Sequence, residues 1–303
     1  MLLGNLGRVL VNLGRPAEAR RSYARALGIQ ERALGPEHAD LAVTLSNLAG
    51  VLEREGRGEE AKRYYERALG IVQRAKGPFH PDAAGLARSL GDLAFQNGQL
   101  EEASRAYARA VGILRQGGQG LQQGLVEPLE KLAAVQEEQG KLPAAEQTYR
   151  QALEAVKKTL GEDHPSVLFP MNRLVEVLLS QGNALGALDL GKLALSIGER
   201  QLGSRHPAVA VTLTGLASAL TKLRRAQEAL PLLERAIQVL LEAPDHELDL
   251  ADAELALARA LNEASQDTPR AVRLARSARV VFARAQTPYA HRRLQETERF
   301  LAR

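Results

Sequence analysis

Residues 45–68 read LSNLAGVLEREGRGEEAKRYYERA, and the spacing of their apolar residues defines a helix, a sharp turn and a second helix. Leu45, Leu48, Ala49 and Leu52 recur at three- and four-residue intervals, which places them on one face of a helix. The run stops at Glu55-Gly56, where glycine permits the left-handed backbone that closes a last helical turn. A second helix is predicted from near Glu59 through Ala61, Tyr65, Ala68 and Ile71, opened by Glu59 and Glu60 where the helix dipole favours negative charge.

The pattern is copied along the chain. Ala26, Ala68, Ala110, Ala152, Ala194 and Ala236 each lie 42 positions after the last. Ala19, Ala61, Ala103, Ala145, Ala187 and Ala229 keep the same step, as do Leu6, Leu48, Leu90, Leu132, Leu174 and Leu216. Self-similarity at this period signals stacked repeats, each exposing an apolar edge that only its neighbour can cover. Gly14, Gly56, Gly98, Gly140 and Gly182 mark the turn, and Tyr23, Tyr65, Tyr107 and Tyr149 fill the wider gaps left by the alanines.

Composition narrows the function. With no Cys, no Trp and 4% aromatics, the core must be built from Leu, Val, Ile and Ala, and disulfides, thiol catalysis and thiolate metal sites are excluded. A cysteine-free chain is compatible with a reducing cytoplasm, the location expected here. The 40 basic residues against 36 acidic ones are mostly Arg. Aromatic residues are too few for a single-strand stacking platform, so no nucleic-acid partner is predicted. No run approaches the roughly 18 apolar residues of a membrane span, so no membrane partner is predicted either.

The pattern Leu48-Ala49, Leu52, Gly56, Ala61, Tyr65, Ala68 resembles the tetratricopeptide repeat. The 42-residue step and the loops Gly77-Pro78-Phe79-His80-Pro81, Gly161-Glu162-Asp163-His164-Pro165 and Gly203-Ser204-Arg205-His206-Pro207 are similar to the kinesin-light-chain-like variety common in bacterial proteins. The resemblance covers essentially the whole chain. It implies an all-α, right-handed superhelical solenoid of about seven antiparallel helix pairs with a C-terminal capping helix. The repeats are expected at approximately 1–40, 41–82, 83–124, 125–166, 167–208, 209–249 and 250–285, and the terminal helix at 286–303.

Departures from the repeat are as telling. Segment 117–124, Gly-Gly-Gln-Gly-Leu-Gln-Gln-Gly, replaces a His-Pro loop and is expected to be a flexible joint. Gly191 and Leu233 stand where earlier copies have Tyr, and Arg224 stands where they have the turn Gly. The seventh copy loses a residue before its first helix and gains one in the Ser265–Pro269 turn. Met1 falls inside the first turn of the opening helix, which suggests a piece of a longer protein.

His38, His80, His164 and His206 invite a metal reading, but packed helices lie about 8–10 Å apart while metal–nitrogen bonds are about 2 Å. Histidine is expected instead to start the next helix, with Pro in its first turn. Glu59-Glu60, Glu101-Glu102 and Glu137-Glu138 suggest no acid–base couple, because adjacent helical residues diverge by about 100°. No phosphate-loop, nucleophile-elbow or zinc-protease motif occurs, so no enzyme, metal or cofactor is predicted.

The resemblance also implies a binding surface. In tetratricopeptide arrays the first helix of each pair lines a concave groove, and the residue before the repeated Leu projects into it. That column reads Asn5, Asn47, Ser89, Lys131, Arg173 and Gly215, with Arg8, Arg88 and Asn172 on the same helix faces. Asn5 and Asn47 match the repeat's Asn-Leu-Ala/Gly pattern, and an amide offers both donor and acceptor to a peptide backbone. The groove residues are therefore expected to be Asn5, Arg8, Asn47, Arg88, Lys131, Asn172 and Arg173. The partner is expected to be a protein or an extended peptide, acidic or carboxylate-bearing. The alternative is the regulatory repeat region of a multidomain bacterial serine/threonine kinase, whose catalytic motifs are not in these residues.

Overall fold

The computed structural model describes residues 2–118, 120, 124–285 and 287–302, and among these every regular element is helical. The chain divides into two compact units, residues 1–135 and 136–303. The first contains α1 (Leu2–Asn12), α2 (Pro16–Leu34), α3 (Leu41–Arg54), α4 (Gly58–Lys76), α5 (Pro81–Gln96), α6 (Leu100–Gln116) and most of α7 (Val126–Glu138). The second takes the end of α7 and then α8 (Leu142–Leu160), α9 (Leu168–Ser180), α10 (Ala184–Leu202), α11 (Pro207–Lys222), α12 (Ala226–Leu241), α13 (Glu247–Glu263), α14 (Thr268–Arg284) and α15 (Pro288–Leu301). Within each unit, helices pack on their sequence neighbours; in the second, the first helices of successive pairs (α9, α11, α13 and α15) also pack on one another.

The alanine columns explain the close approach. Ala61, Ala68, Ala103, Ala110, Ala145, Ala152, Ala187, Ala194, Ala229 and Ala236 are wholly buried. Tyrosine fills the remaining space with little tolerance: a Cβ added at Gly91 would stand 2.6 Å from the Tyr107 ring, and one at Gly7 2.7 Å from the Tyr23 ring. At the pair turns Gly14, Gly56, Gly98, Gly140 and Gly182 all have φ between 69° and 83°. Arg224 adopts the same left-handed turn with φ 63°, and Ser265 does so with φ 54°. The turn geometry thus survives the loss of its glycine.

The histidines act as helix caps. The Nδ1 atoms of His80, His164 and His206 accept backbone N–H bonds from Asp82, Ser166 and Ala208 at 3.1–3.2 Å, with Pro opening the helix that follows. This satisfies one of the orphan donors at each helix start. In the seventh pair it is the second helix, α14, that carries a side-chain cap, with Asp267 accepting from Arg270 N at 3.0 Å. The joint expected at 117–124 lies partly outside the described residues. No described helix is long and apolar enough to cross a membrane.

Replacing Gly91 with Ala should force the buried Tyr107 ring to shift. Chemical denaturation is expected to show a loss of about 1–3 kcal/mol, despite alanine's higher helix propensity. Stability equal to wild type would mean that the junction has slack.

Candidate functional site

The polar residues of interest lie on the first helices of the pairs. In the first unit, Asn5 and Arg8 on α1 and Asn47 on α3 are exposed. The Asn47 side chain bonds to no other described residue. Arg88 on α5 donates to Glu127 Oε1 at 2.9 Å and to Asp92 Oδ2 at 3.3 Å. Lys131 on α7 lies 2.8 Å from Asp92 Oδ1, which also accepts the Tyr107 hydroxyl at 2.8 Å. Asp92 is therefore a hub that ties two of the expected groove cations to the packing tyrosine behind them. One pair earlier, Tyr65 donates to Glu53 Oε2 at 3.2 Å and Gln96 donates to Glu53 Oε1 at 2.9 Å. Burial, and then the adjacent carboxylate, push both tyrosine hydroxyls well above the usual phenol range, so they remain donors.

In the second unit the arrangement is denser. Arg173 Nη2 reaches Glu137 Oε2 and its Nη1 reaches Glu176 Oε2, each at 2.7 Å, while Nε donates to the Tyr149 hydroxyl at 3.3 Å. Glu137 is only 5% exposed and receives a second guanidinium, that of Arg292 on α15, at 2.8 Å. Arg292 also pairs with Glu138 at 3.4 Å. Arg293 holds Asp252 Oδ1 at 2.5 Å and Glu296 at 2.7 Å, and the Tyr289 hydroxyl donates to Asp252. The Tyr289 ring centroid is 5.6 Å from the Arg173 guanidinium and 5.5 Å from that of Arg292, within range for cation–π attraction. Asn172 Oδ1 accepts from the Thr212 hydroxyl at 2.9 Å.

Desolvation sets the electrostatics here. It pushes the Glu176 and Asp252 carboxyls upward against the pull of Arg173 and Arg293 respectively. Burial disfavours the Arg173 cation, but Glu176, Tyr149 and Glu137 outweigh it and hold the guanidinium above its ordinary value. Tyr149 is pushed up to about 12, first by burial.

The structure therefore separates the expected residues. Asn5, Arg8 and Asn47 are exposed on one unit, with Arg88 and Lys131 in ion pairs beside them; Asn172 and Arg173 are engaged on the other. The sequence reading missed the partners Asp92, Glu137, Glu176 and Asp252. Asp92 and Glu176 were detectable in principle, because each follows a column residue (Ser89, Arg173) by three positions and so shares its helix face.

Two predictions test these electrostatics. Glu130, on α7, is pushed up to about 7 by burial and then by Glu127. Its contribution to stability is full below about pH 4.5 and is lost as pH rises through about 7, because the folded chain then holds a desolvated carboxylate. Glu130→Gln should leave the Tm unchanged near pH 4 and raise it near pH 8; equal curves for variant and wild type would place the carboxyl in water. Glu137→Ala leaves Arg173 and Arg292 without their shared carboxylate and is expected to cost about 3–5 kcal/mol in denaturation.

The model of the tetratricopeptide-repeat family matches residues 1–57, 40–116, 125–200 and 167–242. No curated protein matches. Among solved structures, BtubC (BKLC) from P. vanneervenii is 24% identical with a TM-score of 0.62, covering 76% of this chain and 91% of that one. Nearly identical TPR-like repeats from Podosopora anserina, assigned to a kinesin light chain, are 23% identical with a TM-score of 0.57, covering 68% and 97%. RapI in its apo form is 14% identical with a TM-score of 0.66, covering 97% and 98%. At these identities the structures share the fold, while the family match spans well over half of the chain. The chain belongs to the tetratricopeptide-repeat family, and its helix pairs have the all-α repeat fold shared with these structures.

Proposed function

We propose that the chain is a non-catalytic scaffold whose first unit holds an extended peptide or protein segment on the face made by α1, α3 and α5. The observation that carries this reading is Asn47: its amide is exposed and bonded to no other described residue, on a surface where Arg88 and Lys131 are already paired. An amide can donate to one backbone carbonyl and accept from one N–H, which suits a segment of varied sequence. Asn5 repeats the same position one pair earlier, and Arg8 supplies an exposed cation beside it.

The partner's charge follows from the same geometry. Arg88 and Lys131 are held by Asp92 and Glu127, so an acidic side chain of the partner has to compete with these carboxylates. Arg8 is the better anchor for a carboxylate. Arg173 makes two ion pairs within its own unit and is a poor probe of binding, since its removal disturbs the fold.

The test is a pull-down comparing wild type with an Arg8→Glu/Asn47→Leu variant of unchanged helicity. A partner retained by wild type and lost by the variant is the expected result. Equal recovery would move the interaction off this face.

A further inference from the structure

The second unit carries a cluster that the amide face does not use, and one of its contributors comes from far along the chain. The Arg292–Glu137 ion pair joins residues 155 positions apart, bringing α15 onto the first-helix face of its own unit. Its residues Tyr289, Arg292 and Arg293 take up Asp252, Glu137 and Glu138. The Tyr289 ring also lies against Arg173, the column residue expected to face a ligand.

The repeat register shows why this face is open to an occupant. In the third pair, Asp92 is bonded by Tyr107. Two pairs later the equivalent positions are Glu176 and Gly191, so the tyrosine that would bond the carboxylate from behind is missing. Without α15, Arg173 alone among the described residues is ion-paired with any of Glu137, Glu138, Glu176 and Asp252, while Arg259 on α13 has Glu296 of α15 as its partner. The face then has an excess of negative charge, and α15 supplies the arginines that balance it.

The attachment of α15 is thin in apolar terms. Of its fourteen residues Ala290 and Thr297 are buried, whereas α13 buries eight of seventeen, all Leu or Ala. Leu294, Phe300 and Leu301 are partly buried against the core. An element held mainly by ion pairs and a few half-covered side chains belongs to the low-stability end of a structure.

We propose that α15 is an autoinhibitory latch: it occupies in cis a face that takes, in trans, an arginine-bearing helical segment of a partner protein. The recognition chemistry is that of the latch itself, guanidinium groups on Glu137, Glu138 and Asp252 and an aromatic ring laid against Arg173. Opening exposes the carboxylates together, and the same pairs re-form with the partner's arginines.

The test uses the full chain and a fluorescein-labelled peptide of residues 287–302. Arg292→Glu/Arg293→Glu frees α15 and leaves the receiving carboxylates in place; Tyr289→Ala is a milder release that keeps both arginines. Either variant should bind the peptide at least about tenfold tighter than wild type, because a face closed about nine-tenths of the time or more loses at least that factor in apparent affinity. Binding should weaken as salt rises and disappear when the peptide's two arginines are replaced by glutamate. In wild type, amides 289–301 should exchange faster than those of α13.

Equal affinity for wild type and both variants, or α15 as protected as α13, would overturn the latch and make α15 a fixed part of the fold. Concentration-dependent dimerisation of wild type, abolished in the variants, would make a second copy the occupant and overturn the partner-segment reading. Asn47→Leu should leave peptide binding unchanged, so failure of the latch and failure of the first unit's amide face are separate results.

Discussion

Packing of the tyrosine against a small residue on the partner helix, glycine in the third pair and alanine in the second and fourth, is the constraint from which the polar surface follows. Tyr107 can lie against α5 because Gly91 has no Cβ, and that placement carries its hydroxyl through the helix pair to Asp92. A buried phenol needs a hydrogen-bond partner. In the third pair the partner is Asp92, in the second Glu53, and in the fourth the hydroxyl accepts from Arg173. A carboxylate drawn inward to meet a phenol needs counter-charge, and Arg88 and Lys131 provide it. The ion pairs of the first-helix face are thus the outer layer of a core-packing solution. The partner differs from copy to copy, because the positions equivalent to Asp92 in the neighbouring copies are Gly50 and Ala134.

The fifth and sixth pairs show what happens when that constraint is lifted. Gly191 replaces the tyrosine, and Leu216 of α11 moves against it, with its Cδ1 3.2 Å from where a Cβ would stand. The core stays filled, but Glu176 has no phenol behind it and turns to Arg173. A tyrosine then reaches the face from outside the repeat register: Tyr289 bonds Asp252 and lies against Arg173. The tyrosine of the repeat is gone from this pair, and the phenol on this face is borne instead on α15.

The repeat was legible in the sequence because its determinants are local and small. An alanine that must be wholly buried at every junction recurs at a fixed step, and so does a turn that needs positive φ. Arg224 shows the limit of such rules: the glycine is gone, yet the residue still turns left-handed, because the packed helices on either side dictate the connection. The face was less legible. The column Asn5, Asn47, Lys131, Arg173 could be written down from the register, but whether each side chain is exposed or engaged depends on residues in neighbouring pairs. Asp92 meets Lys131 from the preceding copy, and Glu137 meets Arg173 likewise. The Arg292–Glu137 pair left no periodic trace, since α15 stands outside the 42-residue register.

The two units therefore present surfaces that differ in the cost of using them. An exposed amide such as Asn47 exchanges water for a peptide group at nearly even energy, so binding there gains from adding contacts in register and depends little on salt. The carboxylates of the second unit are partly desolvated and already paired, and leaving one unpaired costs several kcal/mol, which makes an empty face unfavourable. Such a face favours an exchange of equivalent occupants over simple opening, because the charges must be met at both ends of the process. That asymmetry favours specificity over affinity: a segment lacking the paired guanidinium groups cannot replace what it displaces, however much apolar area it buries.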